Sequence, residues 1–211
     1  MSRLHVAALS FLLTAGCLAG MLGSISPQAL GQVAYPEQEV RVQHLPALTA
    51  SSSDSTDVLA TCLAIIIHKK AVCCDKDSAL EDAVERADPK SLKDVADKLK
   101  GRHLLSDGRP IMVTAEFLTP SEVNAGHIIY MLQNQHAPLM EWNSQLYVVL
   151  GVTYVESVNY SEGAASKMDT VHKFLLEDVG YSDSRRVVDF DRLTENTGRV
   201  QGFLFVDWKP Q

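Results

Sequence analysis

Acyl transfer by a thiol needs four groups. The thiolate is lowered in pKa by a helix N-terminus or nearby cations. An imidazole takes and returns the proton. A carboxylate or amide orients that imidazole, and a donor receives the oxyanion. The cysteines are Cys17, Cys62, Cys73 and Cys74. Cys62 lies in the middle of an apolar stretch, Asp57 to His68, where burial raises a thiol pKa. Cys73 and Cys74 follow Lys69 and Lys70, a more electropositive setting. His172 and Asp178 sit six residues apart on one predicted strand, which separates them by about 20 Å, so they form no dyad. The histidines have no two-ligand spacing on one helix, and no phosphate loop or nucleophile elbow is present, so the sequence implies no metal and no cofactor.

The elements that would position these groups follow from periodicity. Val40 to Pro46 alternates and reads as a short strand, after a patternless polar stretch and before a Ser/Asp-rich loop. Asp57 to Lys70 is apolar almost all round, as a buried helix is. Two amphipathic helices are expected next, over 76–86 and from Asp88 to Leu99. Ile111 to Phe117 reads as a strand. Thr119 to Glu122 reads as a capping box that launches a helix through Leu132. Strands are expected at Pro138–Trp142, Gln145–Glu156, Val171–Asp178, Arg186–Phe190 and Val200–Trp208, with Val158 to Met168 as a connection. Helices first and strands last is the order of a segregated α+β domain.

The helix from Asp57 resembles the one that opens with the nucleophile in papain-like cysteine peptidases, where Cys-Trp-Ala-Ala begins the helix. Val58 stands at the cysteine position. The second half resembles the bacteriocin-processing, double-glycine peptidase branch. Ala137 to Trp142, then Gln145 to Val152, match its strand, loop and His-led strand, with Gln145 in place of the base histidine. Phe174 to Asp178 matches its Leu-Leu-x-Asp-Pro pattern, with Asp178 as the orienting carboxylate. Ser51 to Ser53 occupy the region of the oxyanion glutamine. The resemblance runs from about Val40 to Val206. It implies a papain-like α+β fold: an N-terminal helical lobe with a buried central helix over 57–134, then an antiparallel sheet lobe over 135–211, preceded by a strand and loop over 32–56. It also implies a degenerate site, hence a pseudoenzyme that binds a peptide or protein in its cleft, with Trp142 and Asn143 lining it. The alternative is an active thiol hydrolase with a relocated cysteine and histidine. The family's disulfide staple corresponds to Cys62 with Cys74 or Cys73.

Residues 1–31 read as a signal peptide: a basic start at Arg3, an apolar run from Val6 to Leu22, and small residues at Ala29 and Gly31. The expected product is exported, periplasmic or secreted. A lipoprotein anchored through Cys17 is the lesser alternative. In an exported chain the remaining cysteines default to one disulfide and one thiol, and adjacent Cys73 and Cys74 leave Cys62 as the partner of one of them. The net charge is −7 and no basic cluster stands out. That disfavours nucleic acids and anionic membranes as partners. Beyond the leader, no stretch is long and apolar enough to span a bilayer.

Overall fold

The computed structural model describes residues 32–43, 45, 50, 54–67, 86–88, 91–105, 108–161, 164–179, 185–190 and 199–211. Its elements are β1 (Gln32–Ala34), β2 (Gln38–Arg41), α1 (Ser55–Ile67), α2 (Leu92–Leu99), β3 (Gly101–Leu104) and β4 (Pro110–Leu118). They continue with α3 (Ala125–Gln133), β5 (Leu139–Trp142), β6 (Gln145–Ser161), β7 (Ala164–Glu177), β8 (Arg185–Asp189) and β9 (Val200–Pro210). The expected helix over 76–86 lies outside the described residues.

All nine described strands belong to one sheet; seven follow the order β3-β4-β9-β5-β6-β7-β8, and β1 and β2 pair with β6. Every pairing in it is antiparallel. β6 is its spine. One side of β6 pairs with β7 over most of its length, while β5, β2 and β1 take the other side in turn. At the handover Val149 N donates to Pro138 O at 2.9 Å and Val42 N donates to Leu150 O at 2.8 Å. Gly151 is required there. A Cβ on it would lie 2.6 Å from Val40 O and 2.8 Å from Arg41 Cγ. β6 is also bulged against β7 between Val149 and Gly151.

Neighbouring residues on the central strands enter different cores, because side chains alternate across a sheet. Leu139, Val148, Leu150, Leu204 and Val206 pack with Leu59, Cys62, Leu63 and Ile66 of α1 and with Leu92, Val95 and Leu99 of α2. Met140, Tyr147, Val149, Phe203 and Phe205 pack with Ile128, Ile129 and Leu132 of α3. The sheet therefore lies between α1 and α2 on one face and α3 on the other.

This overturns the papain-like architecture. Among the described residues there is no helical lobe set against a sheet lobe, and no counterpart of the expected cleft between residues 57–134 and 135–211. α1 is buried as its all-round apolar sequence requires, but against one face of the sheet. The strand and loop over 32–56 contribute β1 and β2 to that same sheet. The connection expected over Val158 to Met168 is instead strand on both sides, with Ser161 and Ala164 paired at its end.

Two helix starts also shift. Only half of the Thr119–Glu122 box forms, with Thr119 N donating to Glu122 Oε2 at 2.9 Å, and it closes a turn. The helix begins later, where Asn124 Oδ1 accepts from His127 N at 2.8 Å. Likewise Ser91, rather than Asp88, is the N-cap of α2.

Candidate functional site

The residues expected at a degenerate peptidase site fall into two groups. Val58 is partly buried and packs against the core beneath α1. Gln145 shares the parity of Tyr147 and Val149 on β6, so it faces the opposite side of the sheet. The structure does not pair Val58 with Gln145. It does connect Gln145 to Asp178, through two residues the sequence reading missed. Tyr147 OH donates to Gln145 Oε1 at 2.7 Å. The Arg186 guanidinium lies over the Tyr147 ring, 5.0 Å from its centroid. Arg186 Nη2 donates to Asp178 Oδ2 at 2.8 Å. Asp178 is almost fully buried, and its carboxylate is held in a charge-assisted pair. The signal for Arg186 was its position on a strand beside an acidic strand end. Nothing local marked Tyr147.

Trp142 packs against the α3-side core and tilts on Tyr147, ring centroids 5.7 Å apart. Its indole Nε1 is buried with no hydrogen-bond partner. Asn143 has a backbone role. With Ser144 it forms the two-residue β5–β6 turn, at φ of 56° and 58°, the twist that suits tight hairpins. His172 is exposed and sits where the β6–β7 register skips one residue, as the extra residue of a bulge.

Cys62 carries a free, fully buried thiol. Burial pushes its pKa far above the ordinary thiol value, and the negative charges of Asp178 and Glu177 push it further. This thiol is not solvent-accessible. Cys17, Cys73, Cys74 and Ser51 to Ser53 lie outside the described residues. Among the described residues, no group of three His, Cys, Asp or Glu side chains is placed to hold a metal. None of the described helices is long and apolar enough to cross a membrane.

A candidate site lies on the α3 side. A cavity of about 250 Å³ opens between the start of α3, β7 and the strand ends beside them. Phe174, Phe190 and Phe203 supply three aromatic walls, and Val123, Ala125 and Ile128 close the α3 side. Phe174 stacks with Phe190 at 6.3 Å and meets Phe203 at 6.2 Å.

Asp169 is the acid in this lining. Its Oδ1 is buried without a hydrogen bond and lies 3.7 Å from Lys167 Nζ. Lys167 itself is held by Glu156 at 2.6 Å. The other carboxylate oxygen faces the first turn of α3, 3.5 Å from where a Cβ on Gly126 would sit.

Beside this cavity runs a sheet edge that is open among the described residues. β8 covers β7 only from Lys173 to Glu177. From Ala164 to Val171, β7 is paired on its β6 side alone among the described residues. In comparisons with known proteins, neither a family model nor a curated protein matches the chain.

Proposed function

We propose that the chain is an exported, non-catalytic binding domain that takes an extended peptide as an added strand on the open edge of β7. The observation that carries this reading is the run from Ala164 to His172. Its backbone is presented in strand geometry, it lies just beyond the end of β8, and it borders an apolar cavity. An unpaired strand edge is a template for another chain. Proteins often guard such an edge with a lysine. Here Lys167 is drawn onto the face of the sheet by Glu156, and Ala164, Ala165 and Ser166 are small. A peptide residue opposite Asp169 or Val171 would point to the same face as those residues, which is the face of the cavity. The buried, high-pKa thiol of Cys62 supports binding rather than thiol chemistry.

The test is selection of linear peptides from a displayed random library on the mature protein, followed by titration of a selected synthetic peptide. Methylating alternate backbone nitrogens of that peptide removes its ladder donors. One of the two alternating sets should abolish binding and the other should leave it nearly intact. Equal tolerance of both sets would contradict strand addition.

A further inference from the structure

We infer that the open run of β7 pairs with the same run of a second copy of this chain, antiparallel and centred on Met168. The inference goes beyond the strand-addition reading. It names a second occupant of the edge, the chain itself, which a bound peptide has to displace.

The gap has the right symmetry. β6 takes one side of β7 along this run, and β8 takes the other side only from Lys173 onward. The stretch left uncovered by β8 starts at Ala164, where β7 begins, and ends at His172. Its midpoint is Met168. A twofold pairing about Met168 sets Ala165 opposite the partner's Val171. It therefore ends at the bulge of His172, short of β8.

Charge then selects the register. Opposed residues of an antiparallel pair point to the same face, so a twofold axis through the ladder falls on a residue. Lys167 and Asp169 are the charged residues between Ala164 and Val171. Centring on Lys167 opposes two ammonium groups, and centring on Asp169 opposes two carboxylates. Centring on Thr170 brings Lys167 to the partner's Lys173, and centring on Ser166 leaves Lys167 opposite the partner's Ala165. Centring on Met168 places Lys167 opposite the partner's Asp169, and symmetry repeats the pair. Like charges directly opposite destabilise a strand pair and opposite charges stabilise it.

The monomer leaves this row short of cations. Asp169 lies opposite Glu156 across the β6–β7 pairing, and Lys167 serves both acids, at 3.7 Å and 2.6 Å. The partner's Lys167 adds a second ammonium to the row. Its attraction acts across the roughly 4.5–5.5 Å between opposed Cβ atoms, so it requires no contact with the buried Asp169 Oδ1. Met168 is 49% exposed on the opposite face and gains an apolar neighbour in the partner's Met168. One strand pair is a small interface, so the association is weak and needs concentrated protein.

The test is oxidative cross-linking of Met168→Cys, Ser166→Cys and Thr170→Cys in the mature protein at about 1 mM. All three positions are exposed, so the variants leave the core intact. Directly opposed Cα atoms lie about 4.5–5.5 Å apart, within the span of a disulfide. Met168→Cys is expected to give a dimer whose linked peptides map by mass spectrometry to 168 with 168. Ser166→Cys or Thr170→Cys alone should link at least tenfold more slowly at the introduced cysteine, while a mixture of the two should link 166 to 170. Adding Lys167→Glu to Met168→Cys should slow the 168-to-168 link at least tenfold.

No link at 168, or equal rates for the three variants alone, overturns the inference. An unchanged rate with Lys167→Glu overturns the charge pairing that selects the register. A 168-to-168 link with no peptide ever selected leaves this inference standing and removes strand addition by peptides. A selected peptide without that link does the reverse.

Discussion

The rings of Phe174 on β7 and Phe203 on β9 lie 6.2 Å apart, although β5 and β6 run between their strands. Three strand spacings in a flat sheet would separate them by about 14 Å. The sheet therefore curls about its α3 side, and this contact marks the floor of the cavity. Phe203→Ala should lower stability by about 3–5 kcal/mol, read as a lower urea midpoint. An unchanged midpoint would mean that Phe203 is not packed against Phe174 in solution.

Gly151 sets the β6 handover from β5 to β2. Gly151→Ala would drive a methyl group against the Val40 carbonyl, a backbone atom with little freedom to retreat. The expected cost is about 1–3 kcal/mol in urea unfolding. An unchanged midpoint would mean that β2 is not held there in solution.

Cys62 should resist iodoacetamide in the folded protein at pH 8, since its thiol is buried and its pKa is strongly raised. Mass spectrometry should find it modified only as fast as the protein opens. Rapid native-state labelling of Cys62 would revive a thiol-based reading. Cys62→Ser should cost about 1–3 kcal/mol, because it places a hydroxyl in an apolar core.

Glu141 is half-buried opposite Leu146 and Gly202, and desolvation raises its pKa. The folded state thus holds its proton to higher pH than the unfolded chain, whose glutamates titrate near about 4.3. Stability attributable to this group is present at lower pH. It is lost as pH rises past the unfolded value and through the folded one. Glu141→Gln should therefore match the parent below about pH 3.5 and become more stable than it at neutral pH. The opposite slope in urea midpoints across pH 3 to 7 would contradict this assignment.

The central strands were legible as strands, but their two-sided burial was not recognised. Tyr147 to Leu150 and Phe203 to Val206 are continuous apolar runs, the pattern of strands covered on both faces. That pattern calls for helices on each side, whereas a lobe-and-cleft reading assigns one face to the cleft. β3 is only four residues long and starts at Gly101, at φ 125°, directly after α2, so it has too little alternation to stand out. The small, polar composition of 158–168 suggested a connection. Pairing along β6 overrides that weak preference.

Gln145 and Asp178 were singled out from a resemblance, and they do meet in one network. The reason is physical and different. Tyr147 and Arg186 link them across β6, β7 and β8. The cavity had no local signature at all, since its three phenylalanines come from chain positions that only the curl of the sheet brings together.

The most direct measurement is amide hydrogen exchange across 164–172, with and without a saturating selected peptide. Strand addition predicts that alternate amides in this run, those directed away from β6, gain protection of tenfold or more while amides of β3 and β8 change little. Unchanged exchange along 164–172, with protection appearing at another edge or face, would contradict the account.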